Sequence, residues 1–206
     1  MDFRIPGSDV LGVNEASVLP VLARVDHGPT GRQIARLAGF ESPASAQRAL
    51  HRLVSIGILD ALSVGNALVY TINREHVLWY GLEQLLQARR TFFRRLREEA
   101  ESALPPGATL FLFGSVARHE AGPESDIDLG IIFEDETDGT VREATVDLFM
   151  ALSERMSGNE AQVFAVDERD LARMQAESDP VVDSWRQDAI DISGWPLRTR
   201  MEALRS

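Results

Sequence analysis

The sequence predicts a two-domain protein of mixed class: an α+β domain of three helices and a hairpin, a long connecting helix, then a small α/β domain with a mixed sheet. Three observations lead there. Apolar residues between positions 14 and 55 recur at three- and four-residue steps, then give way to two short runs around Gly65-Asn66. From residue 107 onward, short apolar runs alternate with helical patterns, as strands and helices layered on one sheet require. Charge divides the chain in the same way, with seven arginines and seven acids in residues 1–76 but nine arginines against 21 acids in residues 107–206. The boundaries read as an arm over 1–13, a first domain over 14–76, a connecting helix over 77–104 and a second domain over 105–206.

Composition removes several chemistries. With no cysteine there is no disulfide framework, zinc–thiolate site or cysteine nucleophile. All 21 basic residues are arginine, so a lysine nucleophile and a P-loop lysine are excluded as well. No apolar run approaches the roughly 20 residues that span a bilayer, and Met1-Asp2-Phe3-Arg4 does not open a signal peptide. A cytoplasmic location and no membrane partner are expected. The acidic second half is a poor nucleic-acid binder by itself, whereas the neutral first half can bind through a local basic face.

Residues 1–13 lack periodicity and contain Pro6-Gly7-Ser8, which gives the arm. From Asn14, the residues Val18, Leu19, Val21, Leu22 and Val25 make one apolar helix face. Thr30 and Gln33 form a capping box for a second helix bearing Ile34, Leu37 and Ala38, closed by Gly39. Ser42 caps a third, with Pro43 at the first position, where a missing N–H costs nothing. That helix buries Ala46, Ala49, Leu50, Leu53 and Val54 and exposes Gln47, Arg48, His51 and Arg52. Ile56-Gly57-Ile58-Leu59 leads into a hairpin over 61–72. This order of elements resembles the winged helix-turn-helix of bacterial regulators of the MarR and ArsR kind. The resemblance implies duplex DNA as a partner and a role in transcription regulation. The third helix would enter the major groove, Gln47, Arg48 and Arg52 would face bases or phosphates, and the hairpin would be the wing. The other use of such a fold is protein contact, including a homodimer.

Residues 77–103 read as one long helix with Leu78, Leu82, Leu85, Phe92 and Leu96 in a stripe and five arginines between Arg89 and Arg97. Leu104-Pro105-Pro106-Gly107 stops it. In the second domain Leu110–Phe113 is a buried strand, Gly114-Ser115 a tight turn into a helix, and Ile127–Phe133 the neighbouring strand. Side chains alternate along a strand, so Asp126 and Asp128 share a face and repel each other unless a cation sits between them. Such hard oxygen ligands suit magnesium. A helix over 141–156 with Val146, Phe149, Met150 and Leu152 inward follows, then a strand over 161–166, a helix from Asp167 and another helix over 180–192.

Gly114-Ser115, ten residues, then Asp126-x-Asp128 resembles the signature of the nucleotidyltransferase superfamily, in its small minimal branch. The resemblance spans about residues 105–200. It implies that Gly114, Ser115 and Arg118 bind the phosphates of a nucleoside triphosphate such as ATP, and that Asp126 and Asp128 are the catalytic, magnesium-holding pair. A third carboxylate on a later strand completes many such sites, and here that position falls on Gln162, with Glu160 two residues earlier. The implied function is magnesium-dependent nucleotide transfer to a partner protein, as by an antitoxin acting on a cognate toxin and regulating its own operon. The alternative is a non-catalytic DNA-binding regulator whose second domain senses nucleotide or a protein partner.

Overall fold

Each half of the chain closes around its own core, because each contains enough periodic apolar residues to bury one. The computed structural model describes residues 1–25 and 27–204. Two compact units emerge, one of residues 4–89 with Asp2, the other of the residues from Arg90 onward with Met1 and Phe3.

In the first unit the elements are α1 (Ser8–Leu11), α2 (Val13–Ala23), α3 (Gly31–Leu37), α4 (Pro43–Ser55), β1 (Leu59–Val64), β2 (Ala67–Ile72) and α5 (Trp79–Leu86). The capping box at Thr30 and Gln33 forms in both directions and sets the start of α3. Strands β1 and β2 pair antiparallel from Leu59↔Ile72 to Val64↔Ala67, and Gly65, at φ +59°, takes the left-handed turn between them. Thr30 makes an isolated bridge to Val69. Val18, Leu19, Leu22, Ile34, Leu50, Leu53, Ile58, Tyr70 and Trp79 make the core, while Leu37 is exposed.

The second unit contains α6 (Ala88–Ala103), β3 (Thr109–Phe113), α7 (Gly114–Ala117), β4 (Ile127–Phe133), α8 (Gly139–Ser157), β5 (Ala161–Asp167), α9 (Glu168–Ala176), α10 (Pro180–Asp188), β6 (Ile190–Ser193) and α11 (Leu197–Ala203). Its four-stranded sheet has the order β5-β4-β3-β6, with β4–β5 parallel and the other pairs antiparallel, so it is mixed. One face packs Leu110, Leu112, Leu129 and Ile131 with Phe92, Leu96 and Phe149. The opposite face packs Phe111, Ile132 and Val166 with Leu171, Val182, Trp185 and Leu197. Gly130 lies across from Phe111 in register, and a Cβ there would overlap the Phe111 ring. No helix among the described residues is long and apolar enough to cross a membrane.

Three expectations are corrected. Residues 1–13 are not a loose arm: Phe3 is buried, stands edge-on to Phe92 at 5.2 Å and donates its N–H to the Ala121 carbonyl. Asp2 accepts the N–H groups of Arg4 and Ile5, and α1 follows; such local side-chain-to-backbone bonding leaves no periodic signal. The single helix over 77–104 breaks at Gln87 (φ −95°, ψ 10°), whose N–H is shared between the carbonyls of Glu83 and Gln84. Its stripe serves two cores, Leu82 and Leu86 packing in the first unit, Phe92, Leu96 and Ala100 in the second. The helix over 180–192 ends at Asp188, after which Ile190 and Ile192 point the same way along a strand that docks on β3. In α8, Phe149, Met150 and Leu152 pack on the core as expected, and Thr145 and Ser153 are buried beside them. The Thr145 hydroxyl donates to the Val141 carbonyl, which lets a polar residue sit inside.

Candidate active site

The end of β3 and the beginning of β4 meet because the two strands are antiparallel, with Phe113 directly opposite Asp128. Gly114 then turns the chain at φ +68°, and a Cβ at this position would overlap the Asp128 carboxylate. Two independent reasons therefore demand glycine: the left-handed backbone and the carboxylate lying against it. Ser115 follows, its carbonyl accepting the N–H groups of Glu120 at 2.9 Å and Ala121 at 3.2 Å. The helix α7 has only four residues, too few for a developed helix dipole.

Asp126 arrives on a pinned loop. Gly122 donates its N–H to the Ser125 hydroxyl at 2.9 Å, and the buried Asn159 amide donates to the carbonyls of Pro123 and Ser125, each at 3.0 Å. The Ile127 N–H reaches the Glu160 carbonyl at 2.9 Å, which starts the parallel β4–β5 ladder. In that ladder Asp128 stands opposite Gln162. The Gln162 Nε2 donates to Asp126 Oδ2 at 2.9 Å. Glu160 precedes β5 and is exposed.

The pair is electrostatically crowded. Burial pushes the Asp128 carboxyl above its ordinary pKa, the charge of Asp126 pushes it further, and Arg118 opposes both. Arg118 is thus near enough to act on Asp128, but its guanidinium also binds Glu120 and Asp188, each at 2.9 Å. Gly114, Ser115, Asp126, Asp128 and Arg118 converge at one end of the sheet. A magnesium ion fits this donor set: two crowded carboxylates gain from a cation, and magnesium leans on one or two carboxylates plus substrate phosphates. No group of three or more His, Cys, Asp or Glu side chains able to hold a metal occurs among the described residues.

An aromatic wall beside the pair escaped sequence reasoning. Trp185 packs edge-on against Phe111, Phe113 and Phe164, and Phe164 is 41% exposed, two residues beyond Gln162 on the same strand face. Asn159 was equally unforeseen, although the Gly158-Asn159 pair after a helical pattern is a signal for a left-handed cap, which Gly158 adopts. In the first unit Gln47, Arg48 and Arg52 all lie on the exposed face of α4. Arg48 donates to the Ser45 hydroxyl, and Arg52 pairs with Glu15 at 2.9 Å. Of the arginines between 89 and 97, Arg94 pairs with Glu98 and Arg97 donates to the Ile192 carbonyl.

Residues 93–192 match the family model of the nucleotidyltransferase domain. Two solved structures share a slight likeness. A toxin–antitoxin crystal structure with AMP-PNP is 17% identical at a TM-score of 0.35, over 55% of this chain and 78% of that one. A Sulfolobus solfataricus protein assigned as a nucleotidyltransferase is 20% identical at a TM-score of 0.31, over 54% of this chain and 92% of that one. A search of curated proteins returns no match.

Proposed function

We propose that residues 93–192, matched by the nucleotidyltransferase-domain model, transfer a nucleotide from a triphosphate such as ATP to a hydroxyl of a partner protein, with magnesium bound. The observation that supports this most is the close approach of the Asp128 carboxylate to Gly114, which sets the Gly114-Ser115 turn directly beside two crowded acids. In this reading Gly114 and Ser115 take the phosphates, and Asp126 and Asp128 hold the cation. Held by these two carboxylates, magnesium would supply the positive charge that offsets charge developing on the leaving pyrophosphate. The loop pinned by Asn159 keeps Asp126 in place without reorganisation. Arg118 is a reserve of positive charge, available to phosphate to the extent that Glu120 and Asp188 release it.

The first unit serves as a winged helix-turn-helix that binds duplex DNA through Gln47, Arg48 and Arg52, with the β1–β2 hairpin as wing. Together the two activities suit a cytoplasmic antitoxin or autoregulator. One observation favours a second reading: Gln162, an amide, stands opposite Asp128 where a third carboxylate would act as a base, and the one acid of β5, Asp167, is at its far end, bonded to Arg142 and the Asp170 N–H. The protein would then sense nucleotide without turning it over.

Calorimetric titration with ATP is expected to show binding that requires magnesium and vanishes when Asp126 and Asp128 are both changed to alanine. Equal heats from the two proteins would reject the site. Transfer of label from α-labelled ATP to a partner protein separates the readings, since a sensor binds nucleotide and transfers nothing.

A further inference from the structure

We infer that Gln162 is a positioning residue whose amide holds Asp126 and restricts the carboxylate pair to a single divalent cation. The inference rests on the reading of this pair as a nucleotide–metal site and concerns how that site is built. Asp128 and Gln162 lie opposite each other on adjacent parallel strands, about 4.8 Å apart in the hydrogen-bonding direction. From there the Gln162 side chain reaches Asp126, with Nε2 2.9 Å from Oδ2. An amide nitrogen can only donate. Its N–H therefore takes one of the acceptor positions on that oxygen and supplies a partial positive charge there. Rotating the amide by half a turn would set its oxygen against the carboxylate, acceptor against acceptor, so the donor orientation is the stable one.

What remains is too little for two cations. Paired catalytic metals sit about 3.5–4 Å apart and share bridging carboxylates. Here one acceptor position of Asp126 is taken by Gln162, and no third metal-binding acid, His or Cys joins the pair among the described residues. Glu160 stands outside the strand and is exposed. Arg118 acts on Asp128 from nearby and adds further positive charge against a second ion. The amide thus does part of what a second metal would do, fixing the geometry of Asp126 without bringing a full charge.

The test counts ions directly, independently of turnover. The full chain, saturated with a non-hydrolysable ATP analogue, is titrated with Mn2+ and followed by electron paramagnetic resonance against an analogue-only blank. Wild type is expected to hold about one ion per chain and Gln162→Glu about two. Gln162→Ala should retain the single ion about tenfold more weakly, as when an orienting partner of a ligand is lost. The Gln162 side chain is exposed, so melting in EDTA should be unchanged by the alanine substitution. Two ions in wild type, or an alanine variant with wild-type affinity, would overturn the role of Gln162 while leaving the nucleotide site standing. Absence of Mn2+ binding in wild type and in an Asp126→Ala, Asp128→Ala control alike would overturn the inference and the site together.

Discussion

Asp128 shows how a single carboxylate can carry both a folding cost and a proposed ligand contact. Its pKa is raised by burial first and by Asp126 second. For an acid with a raised folded-state pKa, stability is fully present below the unfolded value of about 3.9 and is lost as pH rises through the folded value. Above the unfolded value the Asp128 carboxyl therefore opposes folding, a cost that the proposed cation would relieve. Asp128→Asn is expected to raise the melting temperature of the metal-free protein at pH 7, by an amount that shrinks as pH falls toward 4. The same change should remove the stabilisation given by magnesium and ATP together, about 2.7 kcal/mol at a hundredfold excess over the dissociation constant. Scanning calorimetry in EDTA and in saturating magnesium–ATP measures both effects. A variant less stable in EDTA and still stabilised by ligand would contradict the account.

Among the elements, the acidic loop between β4 and α8 is tied down by the Arg142 side chain, with Arg169 pairing to Asp135 beside it. Arg142 donates to the carbonyls of Thr137 at 2.9 Å, Glu134 at 3.1 Å and Asp135 at 2.9 Å, and pairs with the Asp167 carboxylate at 2.9 Å. Asp167 in turn caps α9 by accepting the Asp170 N–H. That backbone bond first, and Arg142 after it, hold the Asp167 carboxyl below the ordinary range. Its contribution is present above the unfolded value of about 3.9 and lost as pH falls through the lower folded value. Arg142→Ala should cost about 2–3 kcal/mol in urea unfolding at pH 7, since it strands several acceptors at once. Arg142→Lys should recover little of this, because one ammonium cannot match the planar fork. Full recovery by lysine would show that charge alone matters.

For the whole molecule, the prediction concerns the division of labour between the two units. If the first binds duplex DNA through α4, changing Arg48 and Arg52 to alanine should weaken binding to all sequences. It should also reduce the slope of log affinity against log salt by about 2. Electrophoretic mobility shifts across a salt series measure this, and an unchanged slope would move the contact off α4. The pairing of Arg52 with Glu15 makes Arg48 the freer of the two to reach phosphate. What the sequence alone determined were features set by near neighbours. Examples are the capping box at Thr30 and Gln33, the hairpin about Gly65, and the spacing of Gly114 from Asp126 and Asp128 with apolar runs on both sides. Periodicity and turn chemistry encode these within a few residues. Tertiary structure decided whatever depends on which segments are brought together. The Gln162 amide meets Asp126 across 36 positions and Arg118 meets Asp188 across 70, contacts that exist only once β5 and α10 have taken their places. Likewise Ile190-Asp191-Ile192 is too short to declare itself a strand, and the open edge of β3 made it one by pairing its backbone. The break at Gln87 has the same origin, since two cores claim the two ends of one apolar stripe. A local pattern specifies an amphipathic face, and only the assembled fold supplies what that face is buried against.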